Sequence, residues 1–479
     1  MPESVANAHL AAWQHREALA EAAVPLIGSL YRDHACVVEV FGASLVQKTP
    51  VQILTIVHEK AQRYNKPLPM EQVHGLIAFL AHRTPGRARI DIGKLLLQFR
   101  ESGGSDLAGW AAGALEPLVS SPKELPEEAQ DVVLYGFGRI GRLMARILVN
   151  KTGGGDKYRL RAIVLRRVGP GDLERRASLL RRDSVHGVFP GTVEVDEERQ
   201  ALIVNGNMIL VLTANSPNEV DYATHGIDNA IVIDNTGMWR DQKGLSLHLQ
   251  SPGAAKVVLT APGKDIPNIV YGVNHSVLSG DEQLVSAASC TTNAIVPVLQ
   301  AVDAAWGIRH GHLETIHAYT NDQNLIDNFH KKDRRGRAAA LNMVITSTGA
   351  AKAVAKALPS LAGKLTGSAI RVPTPNVSLA ILNLQLDATV TREEVNDHLR
   401  NVAMDGPLHA QIGFSVSPEA VSSDLVGDHH AGTVDSVATV ADQSSVVLYV
   451  WYDNEYGYSC QVMRLVQEMA GASPRHFPA

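Results

Sequence analysis

The sequence predicts an α/β protein in which two main domains follow an all-helical N-terminal segment. A buried-strand pattern, a glycine-rich turn and an amphipathic helix succeed one another over residues 131–148. Further short apolar strands alternate with helical stretches beyond them, as in a doubly wound sheet. The first 127 residues, in contrast, contain only short stretches of helical periodicity.

The composition limits the classes of protein to which the chain can belong. A chain of 479 residues is too long for one ordinary core, and 45% hydrophobic with 19% charged residues is typical of a globular protein. The net charge of −5 gives no reason to expect nucleic acid or an anionic membrane as partner. Three cysteines (Cys36, Cys290 and Cys460) exclude a disulfide framework and indicate a reducing compartment. With no signal-peptide pattern and no apolar run of about 18 residues, we expect a cytoplasmic protein.

Residues 1–127 are predicted to be a helical extension. The helical stretches are residues 10–26, Val51–Ala61, Val73–Leu80, Ile92–Phe99 and Leu107–Leu118. Thr49 before Pro50 is a typical helix cap followed by proline in the first turn. The histidines of this segment lack metal-ligand spacing, so no metal is expected, and residues 120–126 are interpreted as a linker. Packing, oligomer contact and regulation all remain open as its role.

Residues 128–289 are predicted to bind a dinucleotide. The strand Asp131–Tyr135 leads into a G-x-G-x-x-G turn and then into a helix. Glycines at this turn allow the backbone to approach a pyrophosphate at the helix N-terminus. The candidate cofactor-binding residues of the turn are Gly136, Gly138, Arg139, Ile140 and Gly141. A glycine-rich turn without a ligand is the alternative.

The next strand, Leu160–Leu165, bears on the choice of cofactor. A domain that prefers NAD would end this strand in Asp or Glu, which binds the adenosine ribose. Here Leu165 is followed by Arg166 and Arg167, and arginine can bind a ribose 2′-phosphate. The sequence therefore indicates NADP or dual use, unless both arginines are merely solvated. Thr236 and Gly237 follow a later strand at the sheet edge where ligands bind.

Cys290 and His317 are the candidate catalytic residues. Cys290 lies between small hydroxyl residues and an apolar helical stretch, so it is expected at a helix N-terminus, where the thiolate is favoured. His317 lies on a predicted strand 27 residues later, where a nearby imidazole could accept the thiol proton. A buried structural cysteine and a structural strand histidine are the alternatives.

Eight motifs in one order make the chain similar to a known family. They are GFGRIGR at 136–142, DSVHG at 183–187, ASCTTN at 288–293, HAYTNDQ at 317–323, STGAAKAV at 347–354, GKLTG at 363–367, RVPTPNVS at 371–378 and WYDNEYGYS at 451–459. This sequence resembles the phosphorylating glyceraldehyde-3-phosphate dehydrogenases over roughly residues 130–470. The first 127 residues fall outside the family pattern.

The resemblance implies roles for individual residues. It places the nucleophile at Cys290, the general base at His317 and the nicotinamide contact at Asn454. The substrate phosphate would lie near Thr320, Asp322 and Arg371. Inorganic phosphate would lie near the remaining matched positions, which are Ser289, Thr291, Thr348, Gly349 and Arg335. Arg334 or Arg337 could replace Arg335, because the register of that loop is less certain.

The resemblance also implies a fold, an activity and an assembly. Residues 290–454 would form an α+β catalytic domain with an antiparallel sheet, and residues 455–479 a helix returning to the cofactor domain. The activity would be oxidation of glyceraldehyde 3-phosphate through a cysteine thioester, with inorganic phosphate as second substrate. The assembly would be a homotetramer, unless the added helices alter it. Erythrose 4-phosphate oxidation and a non-catalytic metabolite sensor are the alternatives. The missing acidic residue at Leu165 leaves the choice between NAD and NADP open.

Overall fold

The computed structural model describes residues 3–83, 85–120, 129–152 and 158–478. The predicted linker at 120–126 lies almost wholly outside these residues. The chain forms two compact units. The first comprises residues 1–129 and 472–479 with the short segment 151–157, and the second comprises residues 130–150 and 158–471.

The first unit contains the predicted helices. Its elements begin with α1 (Glu3–His34), β1 (Cys36–Val40), β2 (Ala43–Ser44), α2 (Pro50–Arg63), α3 (Met70–Ala81), β3 (Ala88–Asp91), α4 (Ile92–Glu101), α5 (Leu107–Ala114) and α6 (Glu116–Val119). The predicted cap at Thr49 is confirmed, because its side chain accepts the Gln52 N–H and the Gln52 side chain accepts the Thr49 N–H. The stretch predicted as one helix over Leu107–Leu118 is divided between α5 and α6.

The prediction that the extension is all helical is wrong. β1 and β3 pair in parallel, with Cys36 opposite Ala88, and β2 folds back on β1. Both parallel strands are short runs of four or five residues in which apolar and charged side chains are mixed. Such runs cannot be told from buried helical segments by periodicity alone, and their pairing partners lie far away in the sequence.

The second unit begins with the predicted doubly wound sheet. Its elements are β4 (Gln130–Tyr135), α7 (Arg139–Thr152), β5 (Tyr158–Leu165), α8 (Asp172–Arg181), β6 (Arg182–Asp183), β7 (Gly187–Val188), β8 (Val193–Asp196), β9 (Ala201–Val204), β10 (Asn207–Thr213), β11 (Ala230–Asp234), α9 (Gln242–Leu245), β12 (Ala254–Leu259) and β13 (Leu284–Ser286). Within the described residues the sheet order is β13-β12-β11-β4-β5-β10-β9-β8. The strands from β13 to β10 are parallel, and β9 and β8 extend the sheet in antiparallel pairing.

A second large sheet follows Cys290. Its elements are α10 (Cys290–Trp306), β14 (Ile308–Ala318), β15 (Val344–Thr346), α11 (Ala350–Ala357), β16 (Leu365–Val372), β17 (Ser378–Leu386), α12 (Arg392–Asp405), β18 (Ile412–Ser415), β19 (Gly432–Asp435), β20 (Val440–Asp442) and β21 (Ser445–Tyr452). The order is β15-β16-β14-β17-β21-β19-β18, with β20 beside β21. The sheet is mostly antiparallel as predicted, but the pairs β14/β16 and β18/β19 are parallel. The crossover from β14 to β16 contains α11, and the crossover from β18 to β19 is a loop of 16 residues, 416–431. α10 packs on this sheet in one apolar core.

The C-terminal residues divide between the two units. Helix α13 (Tyr456–Met469) packs in the second unit, where its last residue accepts a hydrogen bond from Lys256 of β12 through the Met469 carbonyl (2.8 Å). Strand β22 (Arg475–Phe477) instead pairs in parallel with β3 of the first unit. The prediction of a single helix over residues 455–479 is therefore only partly correct. No helix in the described ranges is long and apolar enough to cross a membrane.

Candidate active site

Cys290 is the first residue of α10, where the sequence placed it. The N-cap is Ser289, whose Oγ accepts the Thr292 N–H at 3.1 Å. Ser289 also contacts the Thr292 hydroxyl at 2.7 Å, so its side chain is engaged in capping. At this cap the backbone changes from an extended to a helical conformation, and the Cys290 thiol lies at the start of the helix.

The segment before Cys290 is held in a strained conformation. Ala288 has a φ of +55°, which is unusual for a residue with a Cβ. Its N–H donates to Ser286 Oγ at 3.0 Å, and its carbonyl accepts the Tyr458 hydroxyl at 3.0 Å. Asn293 Nδ2 ties the same turn by donating to the Ser289 carbonyl at 3.0 Å. Strain maintained by several hydrogen bonds is typical of functional turns.

His317 faces the cysteine from β14. Its Nε2 lies 3.5 Å from Cys290 Sγ, within hydrogen-bonding reach for sulfur. Its Nδ1 lies 2.7 Å from the Ala318 carbonyl oxygen. In the tautomer that carries its proton on Nδ1, this oxygen accepts that proton and Nε2 can accept the thiol proton. The Tyr452 ring packs edge-on against the imidazole, with centroids 5.9 Å apart.

Burial shifts the pKa of both residues toward their neutral forms. The pKa of His317 is lowered to about 3 by burial and, second, by the charge of Arg371. The pKa of the Cys290 thiol is raised by burial, against the opposing effects of Arg371 and of backbone N–H groups. The sequence analysis expected the helix N-terminus to favour the thiolate, and in this structure desolvation outweighs that effect.

Two arginines lie beside the imidazole. Arg371, on β16 directly opposite His317, contacts Nδ1 at 2.5 Å and donates to the Ala318 carbonyl at 2.8 Å. Arg335 pairs with Asp322 and donates to Thr346 Oγ1 at 3.2 Å. The buried Nε atoms of both guanidinium groups lack a hydrogen-bond partner among the described residues. Unsatisfied buried donors of this kind suit an anion.

Asp322 links this cluster to Thr320, whose hydroxyl donates to the carboxylate. Although burial raises the pKa of Asp322, the hydrogen bond from Thr320 and the charge of Arg335 lower it overall. The sequence analysis placed Thr320 and Asp322 at one phosphate and Arg335 at another. The structure brings Arg335 into the group of Thr320 and Asp322.

The three arginines of residues 334–337 have different surroundings. Only the Arg335 side chain reaches the cluster, and it is 12% exposed. Arg337 points elsewhere and pairs with Asp327 at 2.9 Å, where both side chains are more than half exposed. Arg334 is exposed.

The remaining predicted phosphate residues lie around the start of α11. Gly349 is the N-cap of α11, and Thr348 Oγ1 accepts the Ala350 N–H at 3.1 Å. Thr291 Oγ1 lies 3.0 Å from the Tyr452 hydroxyl. Thr291 and Thr348 line one small cavity, so the structure places these two predicted residues together.

The glycine turn has the close packing that dinucleotide binding requires. Gly136 has a φ of +97°, and a Cβ there would lie 3.1 Å from Thr236 Cγ2. A Cβ at Gly141 would lie 2.4 Å from the Gly136 carbonyl oxygen, so only glycine lets α7 begin this close to β4. A Cβ at Gly138 would meet nothing within 4 Å, which leaves open space beside the turn. Ile140 follows within the first turn of α7. The residues present thus fit a dinucleotide pyrophosphate.

The other predicted cofactor residues lie at the carboxyl ends of β11 and β5, the two strands that flank β4. Thr236 N and Oγ1 both donate to Asp234 Oδ1 at 2.7 Å, and Gly237 has a φ of +61°. Arg166 and Arg167 are exposed after β5, and Arg166 Nη2 lies 3.0 Å from Met238 Sδ. No carboxylate in the described ranges pairs with either arginine.

Asn454 and two residues that the sequence analysis overlooked complete the site. Asn454 is buried, and its Oδ1 accepts the Ser378 hydroxyl at 2.8 Å. Ser378 Oγ also accepts the Ala318 N–H at 3.1 Å, which links Asn454 to the strand of the imidazole. Tyr452 bridges Thr291 and Thr315 through its hydroxyl, at 3.0 and 2.7 Å. Ser378 and Tyr452 lie inside quoted motifs, so their motif positions were the available signal.

The fold and site together define a class of protein. A doubly wound sheet with a glycine turn at its central strand, joined to a domain that carries the thiol–imidazole pair, describes a dinucleotide-binding oxidoreductase. Family models of glyceraldehyde 3-phosphate dehydrogenase match residues 130–242 with the NAD-binding domain and residues 289–454 with the C-terminal domain. The chain belongs to the glyceraldehyde 3-phosphate dehydrogenase family.

Curated relatives fall into two groups by length. A glyceraldehyde-3-phosphate dehydrogenase-like protein of Pseudomonas aeruginosa strain UCBPP-PA14 is 53% identical over 95% of this chain and 100% of its own. A glyceraldehyde-3-phosphate dehydrogenase of Zymomonas mobilis is 40% identical over 71% of this chain and 99% of its own. One of P. aeruginosa PAO1 is 42% identical, over 71% and 98%. The similarity to the first relative therefore includes most of the extension.

Proposed function

We propose that the protein is a phosphorylating glyceraldehyde-3-phosphate dehydrogenase that oxidises glyceraldehyde 3-phosphate to 1,3-bisphosphoglycerate in glycolysis or gluconeogenesis. The observation that carries the proposal is the 3.5 Å contact between Cys290 Sγ and His317 Nε2 beside the Arg335–Arg371 cluster. A nucleophile, a base within reach of its proton and cations for a phosphorylated substrate are thereby combined. The names of the relatives support the same activity.

In the proposed first step, Cys290 Sγ attacks the aldehyde carbon. A C–S bond forms as the thiol proton moves to His317 Nε2, and the carbonyl oxygen becomes the oxyanion of a thiohemiacetal. The Cys290 N–H and the protonated imidazole stabilise this oxyanion. Because His317 is neutral before the attack, it can act as the base at neutral pH.

The second half of the reaction uses the same residues. The nicotinamide of a bound dinucleotide would supply the hydride acceptor, and Asn454 would hold its carboxamide. Once the adduct is oxidised, Cys290 carries an acyl thioester. Inorganic phosphate attacks the acyl carbon, the C–S bond breaks, and the electron pair returns to Cys290 Sγ as the acyl phosphate leaves.

The two phosphates are assigned to the two groups of residues around the pair. Arg371, Thr320 and Asp322 would bind the phosphate of the substrate. Ser289, Thr291, Thr348 and Gly349 would bind inorganic phosphate near the start of α11. The family resemblance assigns Arg335 to inorganic phosphate. Because Arg335 pairs with Asp322 of the substrate-phosphate group, we propose that it contacts both the substrate phosphate and inorganic phosphate.

For the cofactor we propose NADP or dual use. Arg166 and Arg167 are exposed at the end of β5 and have no carboxylate partner in the described part of the chain. Two guanidinium groups without a carboxylate partner at this position would attract a ribose 2′-phosphate. Gly136, Gly138, Ile140 and Gly141 would receive the pyrophosphate, with the backbone of Arg139, and Thr236 and Gly237 would border the dinucleotide.

We further propose that the protein is a cytoplasmic homotetramer. Six large apolar residues within residues 325–345 are more than 60% exposed, namely Leu325, Ile326, Phe329, Leu341, Met343 and Ile345. Scattered exposed apolar residues are ordinary, but this concentration is typical of an interface. A second copy of the chain is the proposed occupant. None of the three cysteines, all of which lie in the described residues, forms a disulfide, which suits the reducing cytoplasm.

The experiment that tests the proposed function is the initial rate on glyceraldehyde 3-phosphate with NAD and with NADP, each with and without inorganic phosphate. We expect phosphate-dependent reduction of the dinucleotide, and at least about a 100-fold lower kcat for His317→Asn, the typical effect of losing a general base. Arg309→Gln, at the exposed Arg309–Asp387 pair, is the matched control and should retain activity.

Each other outcome contradicts a distinct part of the proposal. Turnover of erythrose 4-phosphate with little dependence on phosphate would identify the alternative substrate. A clear NAD preference that Arg166→Ala leaves unchanged would contradict the role of the arginines. No turnover with either cofactor would favour a metabolite-sensing protein over an enzyme.

A further inference from the structure

Glu455 is bound by two residues of the cofactor domain. Its carboxylate accepts two hydrogen bonds from Arg139, from Nε and from Nη2, both at 2.5 Å. Its Oε2 also lies 3.0 Å from His186 Nε2. The carboxylate side chain is only 12% exposed. A bidentate arginine–carboxylate pair with this little exposure fixes both side chains in one relative orientation.

Arg139 has a second carboxylate partner. Its Nη1 and Nη2 donate to the two oxygens of Asp183, each at 3.2 Å. Asp183 in turn accepts the N–H groups of Val185 and His186 at 2.9 and 3.0 Å. Burial raises the pKa of Asp183, but these hydrogen bonds and Arg139 lower it overall to about 2. The two carboxylates therefore both hold Arg139, from different parts of the chain.

Arg139 is the first residue of α7 and belongs to the glycine turn. Its backbone continues into the N–H groups that a dinucleotide pyrophosphate would approach. The residue that the two carboxylates hold is therefore also the residue at which this helix starts. Asp183 reaches Arg139 from β6, whereas Glu455 reaches it from the segment before α13.

The segment before α13 is tied down on its other side. Asp453 Oδ1 accepts the N–H groups of Glu455 and Tyr456, at 2.9 and 2.8 Å. Asn454 Oδ1 accepts the Ser378 hydroxyl at 2.8 Å. Adjacent residues thus make contacts in opposite directions: Asn454 with the catalytic sheet, and Glu455 with the glycine turn.

We propose that Glu455 is a positioning residue that couples the glycine turn of the cofactor domain to the placement of the Asn454 carboxamide. It acts through Arg139 and through its chain neighbour, and does not itself touch the cofactor. The inference rests on the proposed function, since it assumes that a nicotinamide dinucleotide occupies both places. The proposal assigns to Glu455 a role that the family motifs by themselves do not provide, and His186 enters it only as a contact of Glu455.

The test compares two variants that each remove one carboxylate from Arg139. Glu455→Gln removes the charge that links Arg139 to the Asn454 segment, and the control Asp183→Asn removes the charge that does not. Dissociation constants are measured by calorimetry for NAD and for ADP-ribose, which contains the adenosine and pyrophosphate but lacks nicotinamide. The ratio of the two constants isolates the nicotinamide contribution.

We expect Glu455→Gln to weaken NAD binding at least about 5-fold more than it weakens ADP-ribose binding. Asp183→Asn should weaken both ligands by the same factor. Equal weakening of both ligands by Glu455→Gln would overturn the coupling while leaving the proposed function intact. Failure of the unmodified protein to bind NAD, NADP and ADP-ribose alike would contradict the proposed function and the coupling with it.

A second variant keeps the test decisive if Glu455→Gln does not fold. Arg139→Lys retains the positive charge but cannot bind both oxygens of Glu455, because an ammonium lacks the planar fork. We expect the same selective loss of NAD over ADP-ribose binding. An unchanged ratio of the two dissociation constants in Arg139→Lys would overturn the proposal.

Discussion

Burial governs the protonation of the Cys290–His317 pair. Both side chains are neutral at neutral pH, because removing either from water disfavours its charged form. The pair is therefore a thiol facing an imidazole base, and the reaction must move a proton before or during the attack. Arg371 favours the anionic thiolate and disfavours the cationic imidazolium, so its single charge acts on both members.

The pH dependence of stability follows from His317. Its pKa is about 3 in the folded protein and 6.5 when unperturbed, so between these values the unfolded state binds a proton that the folded state does not. The stability that the neutral His317 imidazole contributes to the folded protein is fully present above pH 6.5 and is lost as the pH falls toward 3. We expect the free energy of unfolding of the wild type to fall by about 1 kcal/mol more than that of His317→Asn between pH 6 and 5.

Urea unfolding of the two proteins at both pH values checks this prediction. His58→Asn, at an exposed histidine of α2, is the matched control and should follow the wild type. Parallel curves for the wild type and His317→Asn would show that the imidazole is not neutral at pH 5 in the folded protein.

Arg371 provides a second prediction at this scale. Its charge lowers the pKa of Cys290 against the effect of burial, so Arg371→Gln should raise that pKa further. Fewer thiolates are then present at a fixed pH, and alkylation of Cys290 by iodoacetamide at pH 7.5 should slow several-fold. Mass spectrometry of the Cys290 peptide measures the rate, with Arg309→Gln at the exposed Arg309–Asp387 pair as control. Unchanged or faster alkylation would contradict the assigned direction.

Among the elements, β22 joins the end of the chain to the extension. It pairs with β3 over three positions, and Arg475 Nη1 donates to the Pro117 carbonyl at 3.1 Å. Arg87 Nη2 also donates to the Ala472 carbonyl at 2.5 Å. Both chain ends thus contribute to one small sheet, and the N-terminal segment lacks one of its strands without the last eight residues.

Removing residues 472–479 should destabilise the extension. About three ladder hydrogen bonds are lost, each contributing about 1 kcal/mol, together with the packing of Phe477. We expect faster hydrogen exchange of β3 amides, by at least about 10-fold, with unchanged exchange in β4 and β5. Arg475→Ala, which keeps the strand, should change β3 exchange less. Protected β3 amides in the truncated chain would contradict the pairing.

The extension distinguishes the whole chain from its shorter relatives. The extension has a core and sheet of its own, so its presence is compatible with an intact catalytic unit. The exposed residues 325–345 lie in that catalytic unit.

Assembly through residues 325–345 can be tested at the scale of the whole molecule. Phe329, 90% exposed, and Leu341, 81% exposed, would be buried by the proposed second copy. We expect Phe329→Asp with Leu341→Asp to shift the mass measured by light scattering from a tetramer toward smaller species. Val277→Asp, at a residue 61% exposed outside the segment, is the control. A monomeric wild type would contradict the proposed assembly.

Local patterns were sufficient for much of this protein. The cap at Thr49, the strand–glycine–helix unit at 131–148 and the helix beginning at Cys290 depend on residues within a few positions of each other, and the structure contains all three. The motifs likewise predicted that Cys290 and His317 meet, and their 3.5 Å contact confirms it.

Only the tertiary structure decided the features that depend on distant residues. The sheet of the extension combines residues near 36, 88 and 475, and no local pattern records that pairing. The position of Arg335 beside Asp322 and the raised pKa of Cys290 depend equally on what surrounds each group. Hydrophobic period and motif order therefore determined the elements and the candidate residues, whereas strand partners, ion pairs and protonation arise from long-range contacts and burial, which a linear pattern does not specify.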